Sequence, residues 1–432
     1  MDFQDLLVTL IALGTVAVIG GMVSLLLWFV VLGGRGRLLP LQRLRPGSWQ
    51  GREVALVFLV MIFIPGMAQG FLEGIGFYQE FYGKEPTSEQ KQLWYMALAF
   101  PIIVAGSFLI LFTLSGTRPR HLGMTTGRWA QNIILGWLTW FPLTILTLGM
   151  YYLVRFWIKA REHSLGRALD SQAIAPEWLL GIFLAVVIAP FLEELVFRGV
   201  LQGWLRRCSV LGHAIVAGAT LFLGSISLVV NLLSKQKTAE VDFGPTLFAL
   251  ILIAGYLGLV RRVWRQRSVE FSQHVLELAS VRQAGPVPET TDAIREGSPP
   301  LPAGESADRF TTALPVTSPG QVDNTKNIRE ASILTSIYGS AMLFAVFHSS
   351  VWPTPIPLFV LGLGLGWLAY RTHSLVGSIT VHVLFNSVAC LVLGLSVFYG
   401  KENGKAETNA FRPSAVGSSS TMVPGSWCPR FK

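Results

Sequence analysis

Long apolar runs separated by short polar segments recur along most of the chain. A helix needs about 20 apolar residues to cross a bilayer, and most of these runs reach or approach that length. The pattern predicts an all-α fold, a polytopic transmembrane helical bundle of about ten spans. We place the spans at residues 6–33, 53–74, 93–115, 130–157, 177–205, 209–233, 243–261, 331–350, 356–371 and 374–398.

Two segments break this pattern. Residues 262–330 contain QAGPVPETTDAIREGSPPLPAGESADRFTTALPVTSPGQ, and residues 399–432 are similarly polar. Such compositions bury too little apolar surface to fold alone, so we expect a disordered cytoplasmic linker and a disordered tail. The predicted organisation is N-terminal transmembrane helices (1–176), a first core motif helix (177–208), an inserted pair of transmembrane helices (209–261), the linker (262–330), core helices with the second and third motifs (331–398) and the tail (399–432).

Composition favours a membrane protein over a nucleic-acid-binding one. Of the 432 residues, 51% are hydrophobic and 14% are charged, and the mean hydropathy is +0.52. Many of the basic residues behind the net charge of +9 lie in the loops after spans one, three, five and seven, which share one side. Positive loops mark the cytoplasmic side. We therefore expect a multi-pass protein of the plasma (inner) membrane, with the N-terminus outside and with lipid, not nucleic acid, as its partner.

Only a few ionisable or amide side chains lie deep inside the predicted spans. A charge at the centre of a bilayer costs about 2.5–3.5 kcal/mol on insertion scales, so we expect these side chains to face one another or a water-filled cavity. They are Glu193, Glu194 and Arg198 in the fifth span, His348 in the eighth, and His382 and Asn386 in the tenth.

Helical spacing places Glu193 and Glu194 on different faces of the helix. Glu194 and Arg198 are four residues apart and share a helix face, which predicts an ion pair. Glu193 is turned about 100° away by the 3.6-residue period, so it must find its partners on another helix.

The remaining polar residues also come at helical spacing. His382 and Asn386 are four apart, as are Phe344 and His348. A lone histidine in a membrane helix is more often a hydrogen-bonded packing residue than a catalyst. A carboxylate, two imidazoles and an amide together can supply a base, a group that orients water and donors to an oxyanion.

In this combination the chain resembles the CPBP family, the intramembrane CAAX proteases and bacteriocin-processing proteins also called Abi. The family is marked by EExxxR, FxxxH and HxxxN on three core helices. The resemblance covers about 177–208 and 331–398, and its motifs stand here as Glu193-Glu194-x-x-x-Arg198, Phe344-x-x-x-His348 and His382-x-x-x-Asn386.

The resemblance implies an intramembrane endopeptidase that hydrolyses a peptide bond of a membrane-proximal or lipidated substrate. Prenylated CAAX proteins are the family's best-known clients. It also implies a set of roles: Glu193 as general base, His348 as the group that holds the attacking water, His382 and Asn386 as oxyanion donors, and Glu194, Arg198 and Phe344 as supporting residues.

The cofactor is open at this point. We favour a mechanism without an obligatory metal, because the chain has no HExxH motif and the resemblance to the CAAX-processing branch implies none. The alternative is Zn²⁺ in a His₂Glu site made by Glu193, His348 and His382, with a fourth position open for water.

Two features depart from the family pattern. About 150 residues separate the first two motifs, where a few tens are usual. The predicted topology also puts His348 nearer the outer face than Glu193, so a kink or a different span boundary is needed to bring them together. Two rival functions stay open, a catalytically idle immunity or scaffold protein of the same family and, less favoured, a transporter. Against the transporter, we find neither repeated halves nor paired broken helices.

Overall fold

The computed structural model describes residues 14–15, 19–24, 26, 47–83, 85–124, 127–158, 175–233, 243–283 and 319–410. Within these ranges the fold is all-helical, with no strand. The helices are α1 (Gly51–Gly74), α2 (Phe77–Tyr82), α3 (Ser88–Ser115), α4 (Trp129–Trp157), α5 (175–205), α6 (Val210–Leu233), α7 (Gly244–Gln283), α8 (Pro319–Phe347), α9 (Pro355–Thr372) and α10 (Leu375–Ala410). Single 3₁₀ turns lie at Pro119–Leu122 and Ser349–Val351.

The predicted class, a multi-pass helical membrane protein, is confirmed. Among the described residues, six helices are long and apolar enough to cross a membrane, and two shorter apolar helices accompany them. The six are Gly51–Gly74, Ser88–Ser115, Trp129–Trp157, Pro176–Leu205, Gly244–Gln266 and Leu375–Val392, and the shorter two are Val210–Ile226 and Ser332–Phe347. Most of the first predicted span, 6–33, lies outside the described residues.

The two segments predicted to be disordered are helical at their borders. Helix α7 continues to Gln283, and α8 already begins at Pro319. The prediction was wrong there because the Pro and Gly residues of the linker are concentrated between these two helices. Residues 262–283 contain neither, and a proline at the first helical position is well tolerated. Helix α10 likewise continues to Ala410. The predicted disorder of 284–318 and 411–432 lies outside the described residues.

Helix α5 forms the centre of the bundle. Its second half is buried on every side, with Leu195, Val196 and Val200 all at 0% exposure. It packs against α8, α9 and α10, and the edge-on contact between Phe58 and Phe197 joins it to α1. The apolar residues of this half pack against the neighbouring helices, and its charged side chains Glu194 and Arg198 are buried with them.

Glycines allow the helices around α5 to approach closely. A Cβ at Gly362 of α9 would lie 3.1 Å from the Cα of Ala341 on α8. A Cβ at Gly136 of α4 would lie 2.7 Å from the carbonyl oxygen of Gly377 on α10. Without a hydrophobic driving force between helices in lipid, such small-residue contacts supply much of the packing.

The α8–α9 hairpin sets the depth of the site. At one end, the Ser332 hydroxyl donates to the carbonyl of Arg206, just after α5. From Ser332 to His348 is about 24 Å of helix, less than the ~30 Å hydrocarbon core, and from Arg206 back to Glu193 is about 20 Å. The turn of the hairpin therefore lies beside Glu193. This removes the difference in depth that the predicted topology placed between Glu193 and His348.

Two alanine substitutions on α4 test the packing. Gly136→Ala puts a methyl group against the α10 backbone, and we expect overpacking to lower the free energy of unfolding by about 1–3 kcal/mol. A Cβ at Gly149 would meet no atom of another helix within 4 Å. Gly149→Ala should instead be neutral or stabilising by up to about 1 kcal/mol, because alanine is the better helix former. Unfolding in detergent measures both, and equal shifts would contradict the proposed contact.

Candidate active site

Two π-helical stretches interrupt α5 around the glutamates. They are Leu184–Ile188 and Glu194–Leu201, and they enclose the α-helical segment Ala189–Glu193. Pro190 lies in that segment. Proline cannot donate a backbone hydrogen bond inside a helix and clashes with the preceding turn, which explains the widening before it. Single π turns are frequent at functional sites because they re-aim side chains.

Glu194 and Arg198 form a fully buried ion pair. The Arg198 Nη1 lies 3.1 Å from Glu194 Oε1, and both side chains have 0% exposure. The Arg198 Nη2 also donates to the carbonyl of Gly362 at 3.4 Å, and its Cζ lies 4.4 Å from the centroid of the Phe344 ring. The pair predicted from the four-residue spacing is confirmed.

His382 lies between the two glutamates. Its Nδ1 is 3.1 Å from Glu194 Oε1, and its Nε2 is 3.6 Å from Glu193 Oε2. The edge of the ring also meets Phe344, with centroids 5.7 Å apart. The imidazole thus connects the buried ion pair to Glu193. As predicted, Glu193 contacts a residue of another helix.

His348 approaches Glu193 from the other side. It is the first residue after α8, and its Nδ1 lies 2.9 Å from the carbonyl oxygen of Phe344 in the last turn of that helix. A carbonyl only accepts, so Nδ1 carries a proton, and in the neutral tautomer with this proton the lone pair is on Nε2. That Nε2 lies 3.9 Å from Glu193 Oε1.

Asn386 contacts the backbone of α5. Its Nδ2 donates to the carbonyl of Ala185 at 2.8 Å, inside the first π-helical stretch of α5. The contact orients the amide group, because a carbonyl acceptor requires the nitrogen, not the oxygen, on that side.

Exposure divides these residues into two layers. Glu194 and His382 have side-chain exposures of 0% and 3%, whereas those of Glu193 and His348 are 23% and 28%. The buried layer is a charge network that holds the accessible layer in place. The accessible carboxylate and imidazole are the groups that a water molecule or a substrate can reach.

Glu193, His348 and His382 are also the candidate metal ligands. The Nε2 atoms of His348 and His382 both face Glu193, while each Nδ1 contacts an oxygen acceptor, an orientation also common for zinc-bound histidines. Within the described part of the chain, however, no group of three His, Cys, Asp or Glu side chains has the arrangement needed to hold a metal ion. Neither the metal-free mechanism nor the zinc alternative is tested by this geometry.

Several partners of the site could not be found from the sequence. Three are backbone carbonyls, those of Gly362, Phe344 and Ala185, which accept from Arg198, His348 and Asn386 in turn. Every residue has a carbonyl, so no residue type marks them. The glycines of α9 gave a partial signal, since glycine in an apolar span indicates a close approach of helices.

A family model agrees with the resemblance seen in the motifs. The model described as Rce1-like, type II CAAX prenyl endopeptidase Rce1-like, matches residues 175–272 and 323–388. All the predicted site residues fall inside these ranges. The match includes 209–261 and omits 273–322 between its two parts. No curated protein and no solved structure matches the chain.

The charge network should contribute strongly to stability. Arg198→Ala leaves the Glu194 carboxylate buried without its cation, and we expect the free energy of unfolding to fall by about 3–5 kcal/mol. Replacing both partners, as in Glu194→Gln with Arg198→Met, should cost clearly less than the sum of the single changes. Unfolding in detergent measures the four variants.

Arg155→Ala is the matched control for that series. Arg155 is exposed near the end of α4, where it contacts the ring of Tyr151. Its removal should change the free energy of unfolding by less than about 1 kcal/mol. An Arg198→Ala effect as small as this one would contradict a buried ion pair.

Proposed function

We propose, from the match of residues 175–272 and 323–388 to the Rce1-like family model of type II CAAX prenyl endopeptidases and from the surroundings of Glu193, that the protein is an intramembrane endopeptidase. It hydrolyses a peptide bond of a membrane-proximal or lipidated substrate with water activated by Glu193. The observation that carries this proposal is an accessible carboxylate flanked by two imidazole nitrogens at 3.6 Å and 3.9 Å.

Glu193 and His348 are arranged to hold the attacking water. Their facing atoms are 3.9 Å apart, too far for a direct hydrogen bond. A water about 2.8 Å from both atoms can donate one hydrogen to the carboxylate and the other to the free lone pair of Nε2. Its oxygen lone pairs then point away from both acceptors, toward a substrate carbonyl carbon. Glu193 takes the proton as that carbon–oxygen bond forms.

His382 and Asn386 supply donors for the oxyanion of the tetrahedral intermediate. To donate from Nε2 while Nδ1 donates to Glu194, the His382 ring must carry both protons. The doubly protonated ring then lies between the two carboxylates, with Nδ1 3.1 Å from Glu194 Oε1 and Nε2 3.6 Å from Glu193 Oε2. The amide of Asn386 has a second N–H beyond the one bound to Ala185, and this one is available to the oxyanion.

Collapse of the intermediate completes the reaction. The carbon–nitrogen bond breaks, and Glu193 returns its proton to the leaving amine nitrogen, which regenerates the carboxylate. Glu194 and Arg198 neither gain nor lose a proton in these steps. Glu194 and Arg198 act by positioning His382, and Phe344 by positioning both His348 and Arg198.

The substrate class follows from where these groups lie. The carboxylate is inside a multi-pass helical membrane protein, so a peptide segment that is anchored near the bilayer by a lipid or a hydrophobic stretch reaches it most readily. We place the protein in the plasma (inner) membrane, with membrane lipid and a lipidated or membrane-proximal peptide as its partners.

Removal of the base should abolish cleavage. Glu193→Gln and His348→Ala should each lower the cleavage rate by about 10²-fold or more, since proton transfer by a positioned side chain contributes about 10²–10⁴-fold. Purified protein in liposomes is incubated with a library of lipidated and unlipidated peptides, and products are followed by mass spectrometry. Glu73→Gln, at an exposed position of α1, is the matched control and should retain full activity.

The same assay separates this proposal from an idle family member. If the wild type cleaves no peptide of either kind, the idle immunity or scaffold protein is favoured. If Glu193→Gln cleaves as fast as the wild type, the assigned base is wrong.

Chelation tests the metal-free form of the mechanism. We expect 1,10-phenanthroline and EDTA to leave the cleavage rate unchanged, because the base, the group that holds the water and the oxyanion donors are all protein side chains in this proposal. Loss of cleavage in chelator with recovery on Zn²⁺ alone would instead assign Glu193, His348 and His382 to a catalytic zinc site.

A further inference from the structure

The carbonyl of Ala185 lacks a backbone donor for a reason that the sequence makes plain. In a π-helical turn a carbonyl accepts from the N–H five residues later, and the N–H of Ala189 donates in this way to the carbonyl of Leu184. The next bond in this series would run from residue 190 to Ala185. Residue 190 is proline and has no N–H.

Asn386 supplies the missing donor. Its Nδ2 reaches the Ala185 carbonyl at 2.8 Å from α10, one helical turn beyond His382. In an apolar bundle a carbonyl without a partner is unfavourable, so the side chain of Asn386 takes the place of the absent backbone N–H. The helix that carries Glu193 and the helix that carries His382 are thereby joined at a defined register.

We propose that Pro190 is a positioning residue for Asn386: by lacking an N–H, it keeps the Ala185 carbonyl free to hold the amide in one orientation. This inference rests on the proposed function, in which the second N–H of that amide donates to the oxyanion. With one N–H bound to a carbonyl of a rigid helix, the amide cannot flip its oxygen toward the site. The donor is therefore oriented before substrate binds.

Pro190→Ala tests the idea through activity. Alanine restores a backbone N–H, which competes with Asn386 for the Ala185 carbonyl and releases the amide. We expect kcat to fall by about 10-fold or more, within the range for loss of an oxyanion donor, with KM changed less than about twofold. In an Asn386→Ala background the same proline substitution should have almost no further effect on kcat. Equal losses in both backgrounds would overturn the proposal.

Pro142→Ala is the matched control. Pro142 also lies inside a membrane-spanning helix, α4, at an exposed position. Its replacement changes helix propensity in the same way but frees no carbonyl of the site, so cleavage should stay at the wild-type rate. A fall as large as that of Pro190→Ala would point to a general effect of proline removal and would also overturn the proposal.

Thermal unfolding gives a second readout that does not depend on activity. Asn386→Ala leaves the Ala185 carbonyl without a donor, and we expect a midpoint about 2–6 °C lower. Adding Pro190→Ala should recover most of that loss, because the new N–H reaches the same carbonyl. If the proline substitution shifts the midpoint equally in both backgrounds, the two residues are not coupled. Thermal unfolding tests the coupling of Pro190 and Asn386 even if the wild type proves inactive and the proposed function fails.

Asn386→Asp separates donation from side-chain shape. Aspartate is close to isosteric with asparagine, but its carboxylate cannot donate to a carbonyl. We expect it to lower kcat and the unfolding midpoint at least as much as Asn386→Ala. Wild-type values for this variant would contradict the assigned hydrogen bond.

Discussion

The buried ion pair between Glu194 and Arg198 is the constraint on which the surrounding structure depends. Two charges with no exposed surface are tolerated inside an apolar bundle only if every neighbouring dipole and charge favours them. That requirement fixes where the carbonyl of Gly362, the ring of Phe344 and the imidazole of His382 must lie. The register of α5 against α8, α9 and α10 follows from one pair of charges.

Close packing of glycine-containing helices makes this arrangement attainable. Helix α9 approaches α8 closely because position 362 has no side chain, and its backbone accepts from α5. Arg198 donates to the carbonyl of Gly362, and Gln202 donates to that of Gly366 one turn further along at 2.9 Å. The turn of the short α8–α9 hairpin lies at the depth of Glu193. His348 therefore lies at the end of a helix, beside Glu193. A histidine there can turn its Nδ1 back onto the last turn and leave its Nε2 for the site.

The division into a buried and an accessible layer gives the adjacent glutamates of one helix different surroundings. Glu194 has 0% exposure and contacts both Arg198 and His382. Glu193, one residue earlier, lies on the accessible side with 23% exposure. The π-helical stretches and Pro190 change the backbone hydrogen-bonding pattern of α5 beside the two glutamates, and thereby the directions in which their side chains point.

Much of this protein was determined by its sequence alone. Apolar runs predicted the helices because a bilayer accepts almost nothing else, and Glu194 and Arg198 were paired by a spacing that holds on any helix. The three motifs predicted the site residues, and they lie within the residues matched by the Rce1-like family model. Sequence composition failed at the borders of 262–330 and at 399–410, where an average over the whole segment concealed helical ends such as 262–283, which contains neither Pro nor Gly. Tertiary structure alone decided that His382 lies between both glutamates, that His348 and Glu193 share a depth, and that Asn386 binds Ala185. These contacts join residues more than 150 positions apart, often through backbone carbonyls that no residue type marks, so only the packed helices bring them together.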